Sequence, residues 1–108
     1  MTRVTLQYFD GCPNWETTDK ILSELVAEGW DMTVEYELID TYEKAKERGF
    51  SGSPTVLVNG VDPFAHDSTA PGLACRIFQT ETGPDGSPSI HQLRRAMTRS
   101  EGGDSHGD

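Results

Sequence analysis

The first apolar run, Val4, Leu6, Tyr8 and Phe9, predicts a strand, and it is cut off by the turn residues Asp10 and Gly11. After Pro13 the spacing changes. Trp15, Thr18, Leu22, Leu25 and Val26 recur at three- and four-residue steps, which marks one face of an amphipathic helix ending near Gly29. Met32, Val34, Tyr36 and Leu38 then alternate with Thr33, Glu35 and Glu37, the pattern of a strand with one wet face at a sheet edge. Asp40 followed by Glu43 resembles a capping box and opens a short helix through Tyr42 and Ala45, stopped by Gly49. Thr55-Val56-Leu57-Val58 is continuous and apolar, as in a strand buried on both faces, and Asn59-Gly60 is a strong turn signal. Cys75 to Thr80 can form a last strand. Ser87 then caps a final helix with Pro88 at its first position and Ile90, Leu93 and Met97 on its inner face.

The resulting order is βαβαββα in one α/β domain, and its strand–helix–strand start implies a right-handed parallel crossover. Residues 61–74 hold Pro63, Pro71 and Gly72 and read as a long loop, of a length often tied to function. The domain is expected over residues 1–99. Residues 100–108, without a large apolar side chain, are expected to be a disordered acidic tail in which His106 is mere composition.

A chain of 108 residues supports one core, and a formal net charge of −9 changes the list of partners. No basic stripe is present to neutralise phosphates, so a nucleic acid is not expected. Arg94, Arg95 and Arg99 are the one basic cluster, and near the end of a helix they complement its dipole without a ligand. No apolar run is long enough for a membrane span, and no secretory signal precedes the first strand. The expected location is therefore cytoplasmic.

That location makes the two cysteines interesting, because cytoplasmic thiols are kept reduced. Cys12 and Cys75, about sixty residues apart, read as reactive or buried groups and not as a staple. Cys12 falls where the first helix should begin, with Pro13 fitting the first helical position. A thiol there meets unpaired N–H groups and the positive end of the helix dipole, which favour thiolate, so Cys12 is the candidate nucleophile. Asp10 beside it opposes thiolate formation if close and ionised, or relays protons if buried. Cys75 is open between two placements. A plain hairpin from Asn59-Gly60 leaves it far from Cys12, whereas the long loop can carry the chain back across the end of the sheet and deliver it there. His66-Asp67 in that loop reads as a solvated pair or as a base oriented by a carboxylate. Neither cysteine has a ligand-spaced neighbour and the histidines are scattered, so no bound metal is expected, and no cofactor pattern is present.

Two segments, Gly11-Cys12-Pro13-Asn14-Trp15 and Gly52-Ser53-Pro54-Thr55, about forty residues apart, give the chain a resemblance to the thioredoxin-like superfamily over residues 2–99. The resemblance implies a minimal thioredoxin-like sandwich with a four-stranded mixed sheet and three helices. It implies that Cys12 attacks, that Pro54 is a cis-proline facing it, and that the Ser53 backbone pairs with a bound peptide or thiol. Pro13, Trp15, Ser53 and Pro54 then line the substrate side. Trp15 stands where thioredoxins carry their second cysteine, so the usual resolving step is missing. Trp15 is either an apolar wall beside the thiol or core. Together with Asp62-Pro63-Phe64 and Gly72-Leu73-Ala74-Cys75-Arg76, these segments also resemble short bacterial thioredoxin-like proteins, some labelled alkylmercury lyase. Lyase chemistry would draw on Cys12, Cys75 and either Asp10 or Asp67.

Three functions follow as expectations. The leading one is thiol chemistry by Cys12 on a disulfide, sulfenate or soft electrophile, resolved by Cys75 or by an external low-molecular-weight thiol, with that thiol or a protein disulfide as partner. The others are mercury–carbon bond cleavage by both thiols, and a non-catalytic binding module. The oligomeric state stays open.

Overall fold

In the computed structural model, which describes residues 2–50, 52–64, 73 and 75–102, the first apolar run forms strand β1 (Thr2–Tyr8), with Val4 and Leu6 fully buried. Helix α1 (Trp15–Ala27) buries Thr18, Leu22 and Leu25, an i, i+4, i+7 stripe. Strand β2 (Met32–Leu38) runs parallel to β1, from Thr2 opposite Met32 to Tyr8 opposite Leu38. It lies at the sheet edge, as its half-wet alternation indicates. Helix α2 (Tyr42–Arg48) begins one residue later than the sequence pattern suggests. Its cap is Thr41, in extended backbone, whose hydroxyl accepts the Lys44 N–H at 3.1 Å, and Gly49 ends the helix at φ 68°.

Strand β3 (Thr55–Val58) pairs antiparallel with β1, giving a three-stranded sheet in the order β2-β1-β3. Asn59 and Gly60 both take positive φ, 52° and 86°, and the hairpin they start lasts for a single pair, Val58 with Val61. Among the described residues the sheet is thus three-stranded with a separate two-stranded sheet, not the expected four-stranded mixed sheet. Pro63 has no N–H to extend a ladder, and the Asp62 side chain bends the chain by accepting the Phe64 N–H at 2.9 Å. The stretch expected to be the fourth strand splits. Cys75 makes one isolated parallel bridge with Ser53, while β4 (Phe78–Thr80) pairs only with β5 (Gly83–Asp85) in a separate two-stranded sheet.

Helix α3 (Ile90–Gly102) is capped by Ser89, not Ser87. Ser89 and Gln92 form a reciprocal capping box: the Ser89 hydroxyl accepts the Gln92 N–H at 3.1 Å, and the Gln92 side chain accepts the Ser89 N–H at 3.0 Å. Ser87 is buried and shares a 2.7 Å hydrogen bond with the Thr18 hydroxyl, which ties the loop before α3 to α1. The helix runs on past residue 99, and residues 103–108, with His106, lie outside the described residues. Leu22 and Leu25 of α1 meet Leu93 and Met97 of α3 over Val4, Leu6, Val56 and Val58 of the sheet. A smaller cluster of Ile39, Ala45 and Phe50 sits around α2. Among the described residues no helix is long and apolar enough to cross a membrane.

Candidate functional site at the Cys12–Cys75 pair

The segment that presents Cys12 is a tight turn off the end of β1, in which the Cys12 N–H donates to the Phe9 carbonyl at 3.0 Å. Gly11 lets the Phe9 ring lie over the turn: a Cβ at this position would come within 2.7 Å of that ring and push it aside. Pro13 and Asn14 follow before α1 begins at Trp15. Cys12 consequently lies two residues ahead of the helix cap, not at the helix start that the sequence pattern indicates. Asn14 does not cap through its side chain, which instead lies against Gly86, where a Cβ would overlap it.

Of the two placements open for Cys75, the structure shows the chain returning. Cys12 and Cys75, 63 positions apart, are joined in a disulfide with their Cα atoms 5.6 Å apart, an ordinary separation for such a bond. Cys12 is fully buried, whereas Cys75 is exposed. The two cysteines, expected to be reactive or buried groups and not a staple, are thus found bonded to each other, with Cys75 bridged to Ser53 beside Cys12.

Arg76 fixes this return. Its N–H donates to the Ser53 carbonyl at 2.9 Å. Its buried guanidinium donates to Asp62 Oδ2 at 2.7 Å, to the Phe64 carbonyl at 2.8 Å and to Thr55 Oγ1 at 3.3 Å. It also stacks 4.6 Å from the centre of the Phe78 ring. The charge is therefore paired and most of its donors are used, as burial of a guanidinium demands. Arg76 and Asp62 stood in the sequence reading only as members of two resembling segments, with no role assigned to either. The available signal was a lone arginine within the apolar stretch Cys75–Phe78.

The Ser53–Pro54 bond is cis, and both residues are buried beside the pair. Cys12 Sγ lies 3.8 Å from the Ser53 carbonyl oxygen. The bonded sulfur carries no proton to donate, but a reduced Cys12 would find an acceptor at this place. The same carbonyl, which the family resemblance reserves for a bound peptide or thiol, already accepts the Arg76 N–H. Ser53 Oγ is buried without a hydrogen-bond partner among the described residues.

The remaining candidates are spread around this centre. Asp10 is an exposed turn residue and Pro13 is exposed. Trp15 is half-buried, packs on the main core, and its ring lies 4.5 Å from that of Tyr8, so it behaves as core. His66 and Asp67 lie outside the described residues. Among the described residues no group of three His, Cys, Asp or Glu side chains gathers to hold a metal ion. The chain matches no protein-family profile, and no curated protein is similar to it in sequence.

Proposed function

We propose that the protein is a thiol–disulfide redox protein, a relative of the thioredoxin-like proteins, whose working groups are Cys12 and Cys75. The observation that carries this reading is the disulfide itself. The chain places two cysteines from distant segments in bonding contact and leaves one of them exposed. With Trp15 at the position of the usual second cysteine, Cys75 supplies the second thiol of the pair from across the fold. In the oxidising direction a substrate disulfide R–S–S–R takes two electrons from the pair. A first exchange releases RSH and leaves a mixed disulfide; the second protein thiol then displaces the other RSH and closes the Cys12–Cys75 bond. The reverse sequence reduces the pair at the expense of two external thiols. A cytoplasmic setting with a low-molecular-weight thiol or a protein disulfide as partner fits this cycle, whereas a nucleic acid does not fit a net charge of −9.

The test is stoichiometric. Reduced protein mixed with excess 5,5′-dithiobis(2-nitrobenzoate) should release two thionitrobenzoate ions per chain, retain none, and end with Cys12 bonded to Cys75. A protein that keeps the aromatic group on either cysteine has no working pair and would fit a non-catalytic binding module. Paired soft thiols are also suited to an organomercurial substrate. Release of inorganic mercury from such a compound, lost in Cys75→Ser, would establish that activity instead.

A further inference from the structure

The two sulfurs of the pair differ in access, and, resting on the redox reading above, we infer that the external thiol or disulfide meets Cys75, while Cys12 is the internal sulfur that leaves and re-attacks. Thiol–disulfide exchange is governed by which sulfur the incoming thiolate can reach. It must approach from the side opposite the bond that breaks. At Cys12 that approach is closed, because the residue is fully buried and its sulfur has the Ser53 carbonyl 3.8 Å away. Cys75 is exposed.

The neighbourhood of Cys75 is also built to keep it in place when the bond opens. Arg76 remains tied to the Ser53 carbonyl through its backbone and to Asp62 and the Phe64 carbonyl through its guanidinium. None of these bonds depends on the disulfide. An external thiolate RS⁻ attacks Cys75 Sγ, the R–S–Sγ bond of a mixed disulfide forms, and the electron pair of the broken bond goes to Cys12 Sγ. Cys12 then takes a proton from solvent and, as a thiol, has the Ser53 carbonyl to donate to. A second external thiolate attacks the R sulfur, releases R–S–S–R, and leaves Cys75 as the second thiol. Run backwards, Cys75 is the sulfur that attacks an incoming disulfide, and Cys12 closes the ring on the adduct. The sequence pattern gives Cys12 the outer role; burial reverses it.

Mapping the mixed disulfide tests the assignment. Oxidised wild-type protein is exposed briefly to cysteamine, quenched in acidic denaturant, alkylated there with N-ethylmaleimide and digested. The expected result is cysteamine on Cys75 and maleimide on Cys12. Cysteamine on Cys12 with maleimide on Cys75 overturns the assignment. A protein whose Cys12–Cys75 bond stays closed at every cysteamine concentration, giving neither adduct nor free thiol, overturns the reversible pair itself and the assignment with it. Single variants supply a second reading: Cys75 in Cys12→Ser should react with 5,5′-dithiobis(2-nitrobenzoate) at least about tenfold faster than Cys12 in Cys75→Ser. Equal or reversed rates overturn the order of the two sulfurs.

Discussion

Arg76 shows how much of this site depends on one side chain. Its guanidinium is 6% exposed and its partner Asp62 14% exposed, so water does little to screen the pair. Removing the cation strands a carboxylate in a half-closed place, which for buried pairs costs about 3–5 kcal/mol. Asp62 keeps some solvent, so Arg76→Met is expected to lower unfolding free energy by about 3 kcal/mol in urea titration of the reduced protein. Asp62→Asn leaves one acceptor for two donors, so either the guanidinium or the Phe64 N–H loses its partner, and it should cost about 2 kcal/mol. At this scale the sequence was partly legible. The turn at Gly11, the strand-leading Pro54 and the two cysteines were visible as residue types. The clamp was not, because an arginine and an aspartate 14 positions apart become partners only once the loop has turned back.

The elements follow local periodicity where that periodicity is strong. α1, α3, β1, β2 and β3 each carry a stripe or a run that one side of the core needs, and their positions agree with it to within a residue or two. The caps moved because several oxygen-bearing side chains stood near each helix start and tertiary contacts chose among them. Thr18 claims the Ser87 hydroxyl, leaving Ser89 to cap α3. Ser89→Ala should therefore destabilise the protein by about 1 kcal/mol, read from the shift in denaturation midpoint. β5 was illegible, since Gly83-Pro84-Asp85 reads as a chain breaker and becomes a strand only as partner to β4. The helices α1 and α3 are also joined across their surfaces by Arg94 and Glu28, at 2.6 Å. The hydrogen bond from Arg94 holds the Glu28 carboxyl below its ordinary range. A depressed carboxyl stabilises the fold when ionised, so its contribution is present at neutral pH and disappears as pH falls through the folded-state value. Glu28→Gln should thus lower the urea midpoint at pH 7, and the difference should shrink as pH falls below the ordinary carboxyl range. A difference that does not change with pH would assign the loss to packing.

For the whole molecule, the long-range covalent link matters more than any single contact. A disulfide closing a loop with a 63-residue separation restricts the unfolded chain, and the chain-entropy relation gives about 4 kcal/mol for that length. Oxidised protein should accordingly unfold at a higher urea concentration than reduced protein, and Cys75→Ser should remove the difference. Neither the link nor the missing fourth strand could be read from local pattern. Both depend on where Cys75 and Arg76 come to lie relative to Ser53, and a hairpin and a return to Ser53 have the same local signals up to Val61. The disulfide also separates two kinds of protein with the same fold: one in which the bond is a permanent brace, and one in which it opens and closes.

That distinction is settled by equilibrating the folded protein in glutathione buffers of graded potential, approached from both the oxidised and reduced sides, and weighing the chains after alkylation. A cycling pair with one exposed sulfur is expected to give one reversible two-electron transition with a midpoint at roughly −180 to −300 mV, and with Cys12 and Cys75 alkylated together. A bond that survives buffers poised well below about −300 mV, or two thiols that never pair at any potential, would contradict the account.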